Sequence, residues 1–322
     1  MIQEIIAIGR INVDIAMDVA KLPARNDHVV SDTGFVSIGG SASNFASQSA
    51  RLGVKTGIFA CVGDDLYGQE ALKELSNAGV DTSCILVLDK QPTGLFFVAQ
   101  QPDGKRLVVA EPGANRFLEK HLLDEEYVAR AKTVHVAGGF PMMAARALEI
   151  ATTNGMIFSF DPGRAASGMD MKSFLRQTDL LFVNQGELKD YFKISPTEKA
   201  LKSFAKTIPG IVVVKKGKEG AAATDGFEYF TSPVFEVEAV DTLGAGDAFA
   251  AGFVNAWTRS ENIEMALHVG NAVAALTITQ RGAQNGQPTL EKTSRLLKKH
   301  GVSIAPILKT FRKRKRRKKQ AK

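Results

Sequence analysis

Short apolar runs alternate with segments of helical length along most of this 322-residue chain, and this alternation constrains the fold more than any other feature. The runs are continuous, rich in β-branched residues and bounded by Gly, Asp or Asn, which is typical of strands buried on both faces of a parallel sheet. The predicted strands are 5–9, 56–63, 133–138, 156–161, 180–184 and 210–217. Repeated strand–helix–strand units of this kind predict a doubly wound α/β fold.

The segments between the strands carry helix signals. Three of them close at Gly53, Gly79 and Gly155, and glycine is the residue expected just past a helix C-terminus. From 244 to 299 the chain is predicted to be mostly helical.

Two stretches, 12–38 and 92–110, break the alternation because polar and apolar residues mix over extended lengths. In the second stretch a Pro-Asp-Gly turn signal at 102–104 separates two strand-like arms, so the sequence predicts a β-hairpin. Because both stretches lie between early α/β units, we expect a small β-sheet that covers one edge of the main sheet as a lid. The predicted organisation is one domain, 1–300, that includes this lid.

The net charge of +7 belongs to the C-terminus. Ten of the 41 Lys and Arg lie in 309–322, so the rest of the chain carries 31 basic residues against all 34 Asp and Glu, a net charge of −3. The main body therefore gives no general argument for nucleic-acid binding. We predict that 301–322 is a disordered basic tail, which either is solvated without a partner or contacts nucleic acid or another acidic surface.

The composition excludes several classes of protein. A hydrophobic fraction of 44% with 23% charged residues excludes wholesale disorder and fibrous repeats. Cys61 and Cys84 are too few for a disulfide scaffold and lie in apolar runs, so we interpret them as small buried hydrophobes. No stretch approaches the ~18 to 20 apolar residues of a membrane span, and we expect a cytoplasmic protein without membrane contact.

Several common active-site motifs are absent from the sequence. It contains no G-x-x-x-x-G-K-[ST] phosphate loop, no strand-associated G-x-G-x-x-G, no G-x-S-x-G elbow and no H-E-x-x-H. The five histidines show no metal-ligand spacing, so we interpret them as structural or surface residues.

The most informative segment is 240–249, Val-Asp-Thr-Leu-Gly-Ala-Gly-Asp-Ala-Phe, which runs directly into a helical pattern. Gly244, Ala245 and Gly246 leave their backbone N–H groups exposed at a helix start, where the helix dipole also favours an anion. Such an anion hole stabilises charge developing on a phosphoryl group, and Asp247 beside it is placed to accept the proton of an attacking hydroxyl. The alternative is a helix cap in which the glycines serve only tight packing.

A second polar cluster, Asn184-Gln185-Gly186-Glu187, directly follows the predicted strand 180–184. Loops at the carboxyl ends of parallel strands are where α/β folds bind ligands. Glu187, through water, is a candidate to hold the Mg²⁺ of a nucleotide, with Asn184 on phosphate. Taken alone, the same residues are an ordinary helix start.

A third cluster is the glycine pair Gly39-Gly40, which opens a helical pattern containing Asn44. Paired glycines let the backbone approach a small hydroxylated ligand, and Asn44 can both donate to and accept from its hydroxyls. Asp14, after the first strand, is a candidate to accept two sugar hydroxyls. Each of these features is weak by itself.

Together these residues resemble the ribokinase (PfkB-type) family of sugar and nucleoside kinases, and the resemblance extends over 1–300. The motifs occur in the family's order and spacing: Asn12-Val13-Asp14, Gly39-Gly40 with Asn44, Asn184-x-x-Glu187, Asp241-Thr242-Leu243-Gly244-Ala245-Gly246-Asp247, and the late Arg281-Gly282-Ala283. The resemblance implies a three-layer α/β/α sandwich with a small β-sheet lid. It also implies a phosphotransferase that uses ATP and Mg²⁺ and that is either a monomer or a homodimer formed through the lid.

The resemblance also implies a role for each matched residue. Asp247 resembles the catalytic base and 244–246 the anion hole, while Asn184 and Glu187 match the phosphate and magnesium contacts. Asp241 resembles the residue of a K⁺ site that supports the anion hole in many members. The positions that match acceptor contacts are Asp14, Gly39, Gly40 and Asn44. The positions implied near the nucleotide are Lys215, Gly217, Gly220, Asn271 and Gly282.

Some positions depart from the ribokinase pattern and leave the acceptor open. Ser41-Ala42-Ser43 replaces the insert typical of true ribokinases, and Lys215 stands where sugar kinases often have Thr. Asp161-Pro162-Gly163-Arg164 resembles the Asp-Pro motif of fructokinases, ketodeoxygluconate kinases and archaeal nucleoside kinases, in which Arg164 would face an anion.

The sequence thus favours ATP-dependent phosphorylation of a hydroxymethyl group of a small sugar. The alternatives are a nucleoside kinase of the cytidine, adenosine or inosine type, use of ADP as donor, and a non-catalytic sugar-binding regulator.

Overall fold

The structure, a computed structural model, describes residues 3–31, 33–103, 105–163, 171–305 and 307. Its strands are β1 (Ile5–Gly9), β2 (Asn12–Asp18), β3 (Thr33–Gly39), β4 (Thr56–Gly63), β5 (Val80–Asp81), β6 (Ile85–Leu88), β7 (Gly94–Gln100), β8 (Arg106–Glu111), β9 (Thr133–Ala137), β10 (Ile157–Asp161), β11 (Leu180–Asn184), β12 (Ile211–Lys215), β13 (Ala221–Thr224) and β14 (Tyr229–Ser232). Its helices are α1 (Ser41–Arg51), α2 (Leu66–Asn77), α3 (Glu125–Ala129), α4 (Pro141–Thr153), α5 (Met171–Leu175), α6 (Gln185–Asp190), α7 (Glu198–Ala205), α8 (Ala245–Ser260), α9 (Ile263–Thr277) and α10 (Leu290–Lys299).

One large sheet organises the molecule. Its strand order is β14-β13-β12-β11-β10-β9-β1-β4-β5, and β6 also pairs with β4. The strands from β12 through β1 to β5 are parallel, and each of the six predicted strands is present there. The doubly wound α/β prediction is therefore confirmed.

The edge hairpin of β13 and β14 was not predicted from the sequence. β13 pairs antiparallel with β12, and β14 pairs antiparallel with β13. The sequence of β13 is Ala-Ala-Ala-Thr, and alanine is not enriched in strands, so the segment lacks the β-branched signal that marked its neighbours.

Helices cover both faces of the large sheet. Side chains that alternate along β1 enter two different hydrophobic cores, with Ile5 and Ala7 in one core and Ile6 and Ile8 in the other. The first core includes buried residues of α1, α8 and α9, and the second includes residues of α4 and α7. The result is the three-layer α/β/α sandwich that the resemblance implied.

A separate four-stranded sheet has the order β3-β2-β7-β8. β2 pairs antiparallel with β3 and parallel with β7, and β7 and β8 form the predicted hairpin. The two stretches predicted to build a small β-layer, 12–38 and 92–110, contribute all four strands.

Three predicted helix ends are confirmed within this architecture. α1, α2 and α4 each end two residues before the predicted glycine, namely Gly53, Gly79 and Gly155.

Among the described residues, Cys61 is buried and Cys84 is partly buried. No helix in the described part of the chain is long and apolar enough to span a membrane.

The folded domain extends further than residue 300. Ile304 and Ile307 are each only 3% exposed and belong to the core shared by α1, α8 and α9. The predicted start of the tail at 301 is therefore too early, because apolar side chains after α10 still find a place in the core. The basic stretch 309–322 lies outside the described residues.

We predict that Ile304→Ala lowers the free energy of unfolding by about 2 to 5 kcal/mol, because the truncation leaves a cavity in packed core. Leu122→Ala is the matched control, since Leu122 is 94% exposed. Chemical denaturation of both variants measures the difference. Equal stability of the two would show that the segment after α10 does not stabilise the domain.

Candidate active site

The carboxyl ends of five adjacent parallel strands supply polar side chains to one edge of the large sheet. Lys215 ends β12, Asn184 ends β11 and Asp161 ends β10, while Gly138 and Arg10 follow β9 and β1. This edge is where α/β folds place their ligand sites. Four of these five strand ends contribute directly to one cavity.

The cavity has a volume of about 360 Å³. It is lined by Arg10, Ser41, Gly138, Asp161, Pro162, Gly163, Glu187, Lys215 and Asp247. The structure thus brings together four residues predicted to act on substrate or nucleotide: Asp161, Glu187, Lys215 and Asp247. Charged groups of both signs face a common space of a size suited to small ligands.

The segment 241–247 forms the predicted loop and helix start. Gly244 is the N-cap of α8 and has φ +72°, and a Cβ added there would lie 2.6 Å from the carbonyl oxygen of Ala283, so only glycine fits. The Ala245 N–H makes only a long bond, 3.4 Å, to the carbonyl oxygen of Thr242, and the Gly246 N–H has no acceptor among the described residues. These first-turn amides are open to an anion.

Asp241 holds this loop against the segment that follows α9. Its carboxylate accepts hydrogen bonds from the Leu243 N–H at 3.0 Å and from the Gly282 N–H at 2.9 Å. Gly282, implied at the nucleotide site, is thereby fixed next to the anion-hole loop.

Asp247 lies in the first turn of α8 and is partly buried. Burial raises its pKa to about 7; the hydrogen bond that Asn44 Nδ2 donates to its Oδ2 at 2.8 Å opposes this shift, and the charge of Asp161 adds to it. A carboxylate with a pKa near neutrality can take and release a proton at physiological pH. Asp247 therefore has the electrostatic character of a general base.

Two glutamines that the sequence reasoning missed orient Asn44. Gln284 Nε2 donates to Asn44 Oδ1 at 3.1 Å, and Gln287 Nε2 donates to the Asn44 carbonyl at 2.8 Å. With its amide oxygen occupied by Gln284, Asn44 presents its NH₂ to Asp247. The sequence signal that could have identified these two glutamines was their position directly after the Arg281-Gly282-Ala283 motif.

Lys215 and Asp161 form an ion pair at 2.5 Å across the end of β11. Burial lowers the pKa of Lys215, but the charge and hydrogen bond of Asp161, with Glu187 and Asp247, outweigh it, and the net shift is upward. A Cβ on Gly246 would lie 3.6 Å from Lys215 Nζ, so the ammonium lies beside the anion-hole backbone. Lys215 thus favours its charged form and places a positive charge beside the first turn of α8.

Asn184 and Glu187 form a capping box at the start of α6. Asn184 Oδ1 accepts from the Glu187 N–H, and Glu187 Oε2 accepts from the Asn184 N–H, each at 2.9 Å. Glu187 also lines the cavity with the carboxylates of Asp161 and Asp247. This oxygen-rich donor set suits Mg²⁺, which prefers carboxylates and water and keeps several waters when bound.

Asp14 lies on β2 and is 6% exposed, with no hydrogen-bond partner for its carboxylate among the described residues. Burial, followed by the charges of Asp247 and Asp241, raises its pKa to about 7. A Cβ on Gly39 would lie 1.9 Å from Asp14 Oδ2, so this carboxylate rests against the glycine backbone. Gly40, the N-cap of α1, is equally confined, since a Cβ there would lie 2.5 Å from the Arg10 carbonyl oxygen.

The remaining predicted positions lie away from the cavity lining or outside the description. Gly217 and Gly220 bound the turn between β12 and β13. Asn271 Nδ2 donates to the carbonyl oxygens of Ser232 and Pro233, at 2.9 and 3.1 Å, and so holds the end of β14. Arg164 lies outside the described residues.

His135 has the structural role that was predicted for the histidines. It is 1% exposed, stacks on Phe45 with 3.7 Å between ring centroids, and shares a 2.8 Å hydrogen bond with Ser159. Burial, with a smaller effect of Lys215, lowers its pKa to about 3. It is a neutral packing residue beneath the site.

We predict that Asp14→Asn stabilises the protein more at pH 8 than at pH 5. Folding raises the pKa of the Asp14 carboxyl from 3.8 to about 7, so the folded state binds the carboxyl proton more tightly than the unfolded state. The free energy of unfolding is therefore highest when Asp14 is protonated and falls as pH rises from about 4 to 7. Removing the charge should therefore give a stability gain at pH 8 that exceeds the gain at pH 5 by on the order of 1 to 3 kcal/mol. Thermal melting of both proteins at each pH measures this, and a pH-independent difference would contradict it.

Comparison with known proteins identifies the chain's relatives. Residues 2–290 match the model of the pfkB family of carbohydrate kinases. An ATP-dependent ribose-1-phosphate kinase from Halopiger xanaduensis is 33% identical over 293 residues, covering 91% of this chain and 97% of the relative. A nucleoside kinase from Methanothermobacter thermautotrophicus is 28% identical over 295 residues, which cover 89% of this chain and 93% of the relative.

Solved structures share the fold. Arabidopsis thaliana ribokinase, complexed with ribose and ATP, has a TM-score of 0.82 at 26% identity and covers 92% of this chain and 99% of that one. An Escherichia coli protein assigned as a ribokinase II, in complex with ATP and Mg²⁺, has a TM-score of 0.77 at 28% identity, covering 92% and 100%. Since the family match spans most of its length, the chain belongs to the pfkB family of carbohydrate kinases and is a phosphotransferase that acts on a sugar or nucleoside hydroxyl.

Proposed function

We propose that this protein transfers the γ-phosphoryl group of ATP to the primary hydroxyl of a small sugar, with Asp247 as the general base. The observation that carries the proposal is the placement of Asp247, which has a pKa raised to about 7 and lies in the same helical turn as the open amides of 245 and 246. A base and an anion hole in one turn are what phosphoryl transfer requires, because it depends mainly on positioning and charge stabilisation.

In this mechanism Asp247 accepts a hydrogen bond from the accepting hydroxyl and takes its proton as the oxygen attacks phosphorus. Asn44 holds the carboxylate in place through its 2.8 Å hydrogen bond to Oδ2, which leaves Oδ1 for the hydroxyl. The bond between the γ-phosphorus and the bridging oxygen breaks, and ADP leaves. Orientation by Asn44 keeps the base within reach of its substrate.

The N-terminus of α8 and Lys215 stabilise the transferred group. The first-turn amides donate to its oxygens, and the helix dipole adds a partial positive charge. Lys215, beside Gly246 and paired with Asp161, supplies a full positive charge at the same place. Because Asp161 holds the ammonium, little rearrangement is needed during transfer.

Glu187 and Asn184 serve the nucleotide end of the cavity. Glu187, through water, would hold Mg²⁺, and Asn184 would contact phosphate. When bound, Mg²⁺ neutralises charge on the polyphosphate, which a cavity lined by Asp161, Glu187 and Asp247 would otherwise repel.

Asp14 and the backbone of Gly39 and Gly40 bind the acceptor. The Asp14 carboxylate has no partner among the described residues, so two sugar hydroxyls can donate to it. The small sheet formed by β2, β3, β7 and β8 acts as the lid and excludes water that would hydrolyse ATP.

Asp241 remains a candidate K⁺ ligand. Its carboxylate ties the anion-hole loop to Gly282, so a cation there would lie next to the groups that hold the transferred phosphoryl. K⁺ would increase activity by strengthening this anion hole.

A nucleoside is the second candidate acceptor. The Methanothermobacter thermautotrophicus relative is named a nucleoside kinase, and Lys215 with Asp161-Pro162-Gly163 agrees with that branch of the family. A regulator without catalysis is disfavoured, because Asp247, Glu187 and Lys215 face one cavity.

Asp247→Asn should lower kcat by ~10² to 10⁴, the range typical of a lost general base, while acceptor binding is kept. In the unmodified protein, kcat should rise with pH through about 7, because Asp247 must be ionised to accept the proton. Steady-state ADP release with saturating acceptor measures both effects.

The control is Asp64→Asn, which removes an exposed carboxylate and should keep normal turnover. If Asp247→Asn retains the wild-type kcat, Asp247 is not the base and the proposed mechanism fails.

A panel of acceptors identifies the substrate class. We expect a sugar to exceed cytidine, adenosine and inosine in kcat/KM when ribose, ribose 1-phosphate, fructose and ketodeoxygluconate are compared with ATP and with ADP as donor. Ribose 1-phosphate belongs in the panel because the Halopiger xanaduensis relative is named for it. A nucleoside with the highest kcat/KM would establish the second candidate instead.

A further inference from the structure

Arg10 is a cationic side chain that lines the active-site cavity and that phosphoryl transfer does not use. It directly follows β1 and is partly buried, with its guanidinium carbon 5.0 Å from the centroid of the Phe140 ring. Its side chain has no ion pair and no hydrogen bond among the described residues. Burial lowers its pKa, with no carboxylate to oppose the effect.

Other partly buried arginines of the described chain are paired. Arg146 contacts Glu125 and Glu149, and Arg259 contacts Glu4 at 3.1 Å. Although Asp161 lines the same cavity as Arg10, it is bound to Lys215. Partial burial of a guanidinium without an ion pair costs solvation free energy, and an anion from outside the protein would offset that cost.

Strand order separates Arg10 from the nucleotide end. β12 and β11, which carry Lys215 and Asn184, lie four and three strands from β1. At about 4.8 Å between neighbouring strands, the backbones at the ends of β12 and β1 are roughly 19 Å apart. The side chains of Arg10 and Lys215 line one cavity, so an anion on Arg10 would enter it from the β1 side and phosphates beside Lys215 from the β12 side.

Arg10 lies instead with the segments that bind the acceptor. It is four residues before Asp14, its carbonyl accepts a hydrogen bond from the Ser43 N–H of α1 at 3.3 Å, and this carbonyl confines Gly40. Ser41, the first residue of α1, lines the cavity beside it, and α1 begins without a side-chain cap. The guanidinium and the start of α1 thus offer donors on the acceptor side of Asp247.

We propose that Arg10 binds a phosphate group carried by the acceptor, so that the preferred acceptor is a sugar phosphate whose primary hydroxyl lies at the opposite end from its phosphate. This inference rests on the proposed kinase function and adds the class of acceptor. Arginine suits the role because its planar fork makes paired, charge-assisted hydrogen bonds to phosphate oxygens.

The reaction then converts a sugar monophosphate into a bisphosphate. The primary hydroxyl oxygen forms a bond to the γ-phosphorus of ATP, its proton goes to Asp247, and ADP departs with the bridging oxygen. The phosphate on Arg10 takes no part in bond making and only fixes the distance from the hydroxyl to the base. A neutral sugar would leave Arg10 unpaired and bind less well.

The test compares two acceptors that differ by one phosphate, ribose 1-phosphate and ribose, each with MgATP and the full chain. We expect the unmodified protein to favour ribose 1-phosphate by ~10² or more in kcat/KM, since a site built for a polar group discriminates strongly against its absence. Ribose 5-phosphate carries the same charge without a free primary hydroxyl and should give no product.

Arg10→Ala should lower kcat/KM for ribose 1-phosphate by ~10² to 10³, the loss typical of a charge-assisted contact, and change kcat/KM for ribose less than about threefold. Arg10→Lys should recover part of the preference. Arg51→Ala, which removes an exposed arginine, is the control and should leave both values unchanged. Melting curves confirm that each variant is folded.

Three results would overturn the inference. An equal loss with both acceptors would assign Arg10 to the fold, and a raised KM for ATP with both would assign it to the nucleotide. A wild-type preference for ribose would mean that no acceptor phosphate is recognised, while the kinase proposal would stand.

Binding separates these failures from failure of the kinase proposal. Without ATP, ribose 1-phosphate should raise the melting temperature of the unmodified protein but not that of Arg10→Ala. If no acceptor is phosphorylated and this Arg10-dependent shift is present, the kinase proposal fails and the phosphate site stands. If the shift is absent, the phosphate site fails.

Discussion

The hydrogen bond from Asn44 to Asp247 joins two parts of the chain that are 203 residues apart, and the site depends on it. It connects the start of α1, which follows the glycines proposed to bind the acceptor, with the start of α8, which carries the proposed anion hole. Gln284 fixes the amide that makes the bond. Packing of α1 against α8 in one hydrophobic core thus sets the position of the proposed base relative to the proposed acceptor site.

Several ionisable side chains in the candidate site lack a partner of opposite charge before ligands bind. The pKa values of Asp14 and Asp247 are both raised to about 7, because burial and neighbouring carboxylates disfavour the ionised forms. Burial lowers the pKa of Arg10, and no carboxylate opposes this shift. Such groups reduce stability without their ligands, and they are retained where hydroxyls, metal ions or phosphate complete them.

Most of the fold and part of the site could be predicted from the sequence. Strands β1 and β12 are continuous apolar runs, and the Asp247 segment combines glycines with a helix start. β13 lacked a β-branched signal, and Gln284 acts through a contact across 240 residues that no local pattern reveals. Arg10 belongs to no motif, and it becomes informative only when the cavity shows it without a carboxylate partner.

The strand order also explains how one fold can serve different acceptors. In the proposed mechanism, the groups that hold phosphoryl charge lie at the ends of β11 and β12 and at the start of α8, whereas the groups that face the acceptor lie on β2 and after β1 and β3. Because these sets lie on different strands, although both reach one cavity, the proposed mechanism implies that a residue after β1 can change with less effect on phosphoryl transfer than a residue at the start of α8. Relatives that share the fold at 26% to 33% identity and are named for different acceptors fit this separation. Acceptor specificity is therefore to be sought at positions such as Arg10, and catalytic competence at the start of α8.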